Sequence, residues 1–111
     1  MVSVPFDTVL KDFDGRPVKH NRAGELVDAT LKGVAVEALL LVDAQGLSAD
    51  EHLSRYGLAQ RIHKANGAGV ELTVEEIALV KRLLAKGYTP GVVGAAVEIL
   101  DPASLRKGQD G

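Results

Sequence analysis

Three histidines and no cysteine bound the metal and nucleophile chemistry open to this chain. His20, His52 and His63 are not paired at i,i+4, and none stands in an H-E-x-x-H arrangement. A metal site would need them to converge from three different elements, so solvated surface histidines are the expectation. His63 has an ordinary electrostatic reason to sit at a helix C-terminus. Without cysteine there is no thiolate ligand, no disulfide and no cysteine nucleophile. Ser3, Ser48, Ser54 and Ser104 are the serines; no G-x-S-x-G elbow surrounds them, and Ser48 is best used as a helix cap. Asp12, Asp14 and Gly15 in DFDGR suggest a calcium loop, but the glycine comes too early and no glutamate follows at the twelfth position, so a turn is the better reading. Asp50, Glu51, Glu75 and Glu76 fall in first helical turns, where the helix dipole favours carboxylates. Gly67, Gly69, Gly87, Gly91 and Gly94 match neither the P-loop nor the dinucleotide fingerprint. These residues predict no catalytic site, no metal site and no cofactor.

The chain has 111 residues, 46% of them apolar, which is enough for one core in a single domain. Aromatics are limited to Phe6, Phe13, Tyr56 and Tyr88, so that core must be aliphatic. A net charge of −2 with scattered lysine and arginine lacks the dense basic footprint of a phosphate-neutralising surface, and nucleic acid is not the expected partner. The N-terminus has no basic start followed by a long apolar run, so no signal peptide is predicted. The longest unbroken apolar run, Ala38 to Val42, is far short of the roughly 20 residues of a membrane span. A soluble protein of a reducing cytoplasm, with no membrane contact, is the expectation.

The elements that would position any site are mainly α-helical: an N-terminal β-hairpin followed by a bundle of four short helices, one globular domain over residues 1–101. Asp14-Gly15 lies between Thr8–Phe13 and Arg16–His20 and predicts a hairpin over 8–20, because glycine accepts the positive φ of a tight turn. Pro17 places the second segment at an edge. Asn21–Glu25 reads as a further turn. Helix 30–42 starts at Thr30 or Asp28 and carries Leu31, Val34, Ala35, Ala38, Leu39 and Val42 on one stripe. Ser48 and Glu51 form a capping box for helix 49–65, Asn66-Gly67 supplies its left-handed stop, and Glu51 and Arg55 are spaced to pair. GAGVEL is a connector that would touch the hairpin as an extended piece. Thr73 and Glu76 repeat the box for helix 74–86, with Ile77, Val80, Leu83 and Leu84 inward and Gly87 as the stop. Thr89-Pro90 starts helix 90–100. Val92, Val93, Ala96, Val97, Ile99 and Leu100 form its large-residue arc, and Gly91, Gly94, Ala95 and Glu98 the other face. Residues 102–111 read as a flexible tail.

Helices 74–86 and 90–100, joined by a short turn, imitate a helix-turn-helix. The second lacks arginine, lysine, asparagine and glutamine and carries one glutamate, so a core-filling αα-hairpin is the better reading and DNA binding the alternative. Packing surfaces remain as the informative signal. Val36 and Leu40 lie away from the main stripe of helix 30–42. Either the N-terminal hairpin lies over them, or part of this surface meets a protein partner or a second copy. The small face at Gly91, Gly94, Ala95 and Glu98 is a second possible contact, weighed against a merely solvated face.

In this order, the segments LKDFDGRPV, GVAVEALL, LSADEHLSRYGLAQRIHKA and VELTVEEIALVKRLLAKGYTPGVVGAAVEIL resemble a group of small proteins encoded by tailed bacteriophages and prophages. They span most of residues 9–100. The resemblance carries over no catalytic residue. It implies a phage setting, hence a bacterial host cytoplasm, and a non-enzymatic accessory role in virion (head or tail) assembly or in binding a host protein.

Overall fold

The computed structural model describes residues 2–65 and 69–104, with side chains for all of them except Arg22. In chain order the elements are β1 (Val2–Val4), β2 (Lys19–Arg22), β3 (Glu25–Asp28), α1 (Leu31–Leu41), α2 (Ala49–His63), β4 (Val70–Leu72), α3 (Val74–Gly87) and α4 (Pro90–Leu100). Pro102–Ser104 is helical again beyond α4. Helices dominate, joined by two separate two-stranded antiparallel sheets, β1–β4 and β2–β3.

The helices begin where local chemistry says they should. Thr30 caps α1 by accepting from Gly33 N at 3.0 Å. Ser48 and Glu51 cap α2 reciprocally, and Thr73 and Glu76 do the same for α3. Pro90 opens α4 at a position where no N–H is needed. The inward stripe of α1 is Leu31, Val34, Ala35, Ala38 and Leu39, and that of α3 is Ile77, Val80, Leu83 and Leu84. α1 is the central helix, packed against α2, α3 and α4. Phe6 and Leu10 of the N-terminal segment are fully buried in the same core, whereas Phe13 is fully exposed.

The hairpin is displaced from its expected place. The ladder runs Lys19↔Asp28 to Arg22↔Glu25, not over 8–20. Its two-residue turn is Ala23-Gly24, with φ of 52° and 85°, the left-handed pair that suits the strand twist. Asp14-Gly15 does turn the chain, but inside a loop organised by Asp12. The Asp12 carboxylate accepts from Asp14 N at 2.9 Å and Arg16 N at 3.0 Å. Across that turn Asp12 N donates to Arg16 O at 2.9 Å and Val18 N to Leu10 O at 2.8 Å, on either side of the isolated bridge Lys11↔Pro17. The pairing goes no further, because Leu10 N turns instead to Ala29 O at 2.8 Å. The connector preceding α3 also pairs elsewhere: β4 meets β1, with Val2↔Leu72 and Val4↔Val70, rather than the hairpin.

Three helix details differ as well. α2 ends at His63, and the expected Asn66-Gly67 stop lies outside the described residues. Arg55 does not turn to Glu51. It is 5% exposed and donates to the carbonyls of Val42 at 2.6 Å and Asp43 at 3.1 Å, closing the end of α1. Gly87 serves by size rather than by φ, since a Cβ there would lie 2.5 Å from Cγ2 of Val42. The start of the expected tail is tied down: Lys81 Nζ donates to Asp101 Oδ2 at 2.8 Å and to Ser104 Oγ at 2.5 Å. Residues 105–111 lie outside the described residues.

Candidate functional site

The outer side of α1 is where the surface is least ordinary. A helix turns about 100° per residue, so the run Ala38–Val42 cannot face one way. Ala38 and Leu39 are buried, while Leu40 and Leu41 are 45% and 70% exposed. Beside them the β2–β3 hairpin stands off the helix and leaves a groove of about 340 Å³. Its lining includes Val27 of the hairpin and Val36, Leu40 and Leu41 of α1, with His20, Glu37, Lys32 and His63 among its polar members. Leu40 also lines a neighbouring hollow of about 320 Å³ with Leu47, Leu53 and Tyr56, above the buried Arg55. Leu53 and Tyr56 are 69% and 57% exposed. The two hollows therefore join through Leu40 into one apolar tract across α1 and α2.

A polar chain borders this tract. His20 Nε2 of the hairpin lies 3.4 Å from Glu37 Oε2 on α1. The Tyr88 hydroxyl, just past α3, donates to Glu37 Oε1 at 2.6 Å. Burial first, then the hydrogen bond to Glu37 and its negative charge, push the Tyr88 hydroxyl above the ordinary tyrosine range, so it stays a neutral donor. His20 is therefore not the solvated histidine expected from its spacing; His52 and His63 are exposed. The Glu37 carboxylate thus accepts from Tyr88 at one oxygen and faces His20 with the other. Among the described residues, no group of three or more histidine, aspartate or glutamate side chains is placed to hold a metal ion.

One other cluster has the look of chemistry. Ser104 Oγ contacts Lys81 Nζ at 2.5 Å, the pairing of a serine–lysine nucleophile. Such a lysine must be neutral to take the serine proton. Here Ser104 Oγ accepts from Lys81 and donates to Asp101 Oδ2 at 2.8 Å, so the hydroxyl proton is aimed at the carboxylate and not at the amine. The Lys81 hydrogen bond, then that of Ser104, holds Asp101 below the usual carboxylate range. The cluster ties the residues after α4 back onto α3.

Of the sequence-predicted surface residues, Val36 and Leu40 come together, and those of α4 do not line the same groove. Val36 is half-buried and Leu40 exposed, both lining the groove. The hairpin forms one wall of that groove and leaves Leu40 open, so it stands beside these residues rather than over them. On α4, Gly91 and Glu98 are exposed and Gly94 is half-buried, but Ala95 is only 8% exposed and belongs to the core. A Cβ at Gly91 or Gly94 would meet nothing within 4 Å, so neither glycine marks a close contact inside the molecule. Leu41, Leu53, Tyr56 and the His20–Glu37–Tyr88 chain were not singled out by sequence reasoning. The apolar run at 38–42 was the available signal for Leu41, and the wide spread of apolar residues around helix 49–65 that for Leu53 and Tyr56; nothing local announced the polar chain. No helix is long and apolar enough, among the described residues, to cross a membrane. Comparison with protein-family models, with curated proteins and with solved structures finds no match to this chain.

Proposed function

We propose that the chain is a non-enzymatic protein-interaction module whose docking surface is the apolar tract across α1 and α2. The observation that carries this reading is the continuity of Val36, Leu40, Leu41, Leu53 and Tyr56 through two hollows that share Leu40. Contiguous exposed apolar surface of this kind is costly to leave in water and marks contact sites on folded proteins. Tyr56, 57% exposed within the tract, is of a residue type in which binding energy concentrates at such contacts. The resemblance of the ordered segments to small proteins of tailed phages and prophages suggests the setting: a phage-encoded factor accessory to virion assembly, or one that binds a host protein.

Light scattering at two concentrations tests for self-association, and affinity capture from phage-infected cells tests for a separate partner. An assembly heavier than the 11.7 kDa chain, or a stoichiometric complex, is expected. A chain that stays monomeric and captures nothing would overturn the reading. A DNA-binding regulator using α3 and α4 finds no supporting observation, because the buried side of α4 (Ala95, Ala96, Val97 and Leu100) is turned into the core and its sequence carries no basic side chain.

A further inference from the structure

The turn between Lys11 and Pro17 holds an aromatic ring out in water. Asp12 O accepts from Gly15 N at 3.0 Å, while Asp12 Oδ1 accepts from Asp14 N at 2.9 Å and Arg16 N at 3.0 Å. Gly15 completes the turn with a φ of 78°, and the bridge Lys11↔Pro17 closes its base. Phe13 sits at the corner so fixed, and at 107% exposure its ring has no cover from its own chain. Phe6, by contrast, is fully buried. An aromatic ring buries about 150–250 Å² when it finds a pocket. A rigid turn presents that ring with little ordering left to lose on contact.

We infer that Phe13 of one copy seats in the α1 groove of a second copy. The ring fits the groove in size and polarity. The groove of about 340 Å³ is walled by Val27, Val36, Leu40 and Leu41. A closed apolar cavity of about 150 Å³ already accepts benzene. The charges agree as well. Asp12 and Asp14 flank the ring. The acids of the groove are already faced, Asp28 by Lys19 at 2.5 Å and Glu37 by His20 at 3.4 Å. Lys32, also in the lining, is paired with Asp7 at 2.9 Å. That leaves His63 of the lining and the next residue, Lys64, both exposed, to meet the two carboxylates. Ring and groove are different surfaces of one chain, so every copy carries both halves of the contact. A single ring and its flanks bury less than the roughly 1,200 Å² at which stable interfaces begin, so the association is weak and rises with concentration.

This occupant specifies the docking surface proposed above and rests on that proposal. Sedimentation equilibrium from about 10 μM to about 1 mM, the range of weak contacts, tests it. Wild type, Phe13→Ala, Leu41→Asp and an equimolar mixture of the two variants are compared. Both positions are exposed, so both variants should keep the wild-type melting temperature. The wild-type mass should rise above 11.7 kDa with concentration. Each variant alone should associate at least about tenfold more weakly, as for loss of a binding anchor. The mixture should be heavier than either variant alone and stop at two chains, because Leu41→Asp keeps the ring and Phe13→Ala keeps the groove. A wild type that stays monomeric, wild-type association in either variant, or a mixture no heavier than its components would overturn the inference. The docking surface itself fails only if affinity capture is also empty, so the two failures are told apart.

Discussion

The guanidinium of Arg55 on α2 donates to the carbonyl of Val42, the residue that ends α1, at 2.6 Å. A second donation, to Asp43 O at 3.1 Å, holds the next residue, whose φ of 51° is left-handed. A buried cation thus closes the α1 C-terminus, where the orphan carbonyls favour positive charge. It also fixes the loop that carries Lys86–Asp43, a contact of 3.0 Å to α3.

Replacing Arg55 by methionine keeps most of the stem volume and removes the donors. It should destabilise the fold by about 1.5–3 kcal/mol, the range for hydrogen bonds made by a charged group. Urea unfolding read by circular dichroism checks this. A change within about 0.5 kcal/mol, typical of surface positions, would show that water replaces the guanidinium there.

Leu39 and Leu41 separate the two sides of α1. Leu39→Ala should cost about 2–5 kcal/mol, because the side chain is 1% exposed. Leu41→Ala, at 70% exposure, should stay within about 0.5 kcal/mol. Equal losses in thermal or urea unfolding would mean that the helix faces are wrongly assigned.

Gly87→Ala should destabilise by about 1–3 kcal/mol through overpacking against Val42, whose branched side chain cannot easily turn aside. The Cβ would lie 2.5 Å from one methyl and 3.4 Å from the other. In a Val42→Ala background the penalty should shrink, giving a coupling of at least about 0.5 kcal/mol in a double-mutant cycle. Strict additivity would remove the proposed close approach.

Glu76 supplies an acid-side prediction. Burial raises its pKa, but the Thr73 backbone N–H, Arg61 and the Thr73 hydroxyl outweigh that and leave it below 4.5. A group depressed in the folded state stabilises it above the unfolded pKa, and this contribution is lost as pH falls through the folded value. The melting temperature should therefore drop as pH falls below 4.5, and less steeply in Glu76→Gln. Parallel profiles for the two proteins would contradict this.

The helices were legible because their signals are local. Ser48 with Glu51 and Thr73 with Glu76 lie three residues apart, and the α1 and α3 stripes repeat within each helix. The pairing of Val2–Val4 with Val70–Leu72 was not legible, since two three-residue strands carry no period and their partnership is set by the whole fold. Asp14-Gly15 is the stronger turn signal by residue type and does turn the chain, yet the longer ladder closes at Ala23-Gly24. Part of the candidate surface was readable from the five apolar residues at 38–42, which no single helix face can bury. His20, Glu37 and Tyr88 come from three elements, and their meeting could not be read from spacing.

Paired affinity capture with the wild-type chain, Leu41→Asp and Gly91→Arg tests the docking surface most directly. Leu41 sits on the apolar tract, and Gly91 on the open small-residue side of α4. Both variants should keep the wild-type melting temperature. The account predicts a stoichiometric partner, or a second copy, that wild type and Gly91→Arg retain and Leu41→Asp loses. Retention of the same partner by Leu41→Asp, or its loss only in Gly91→Arg, would contradict it.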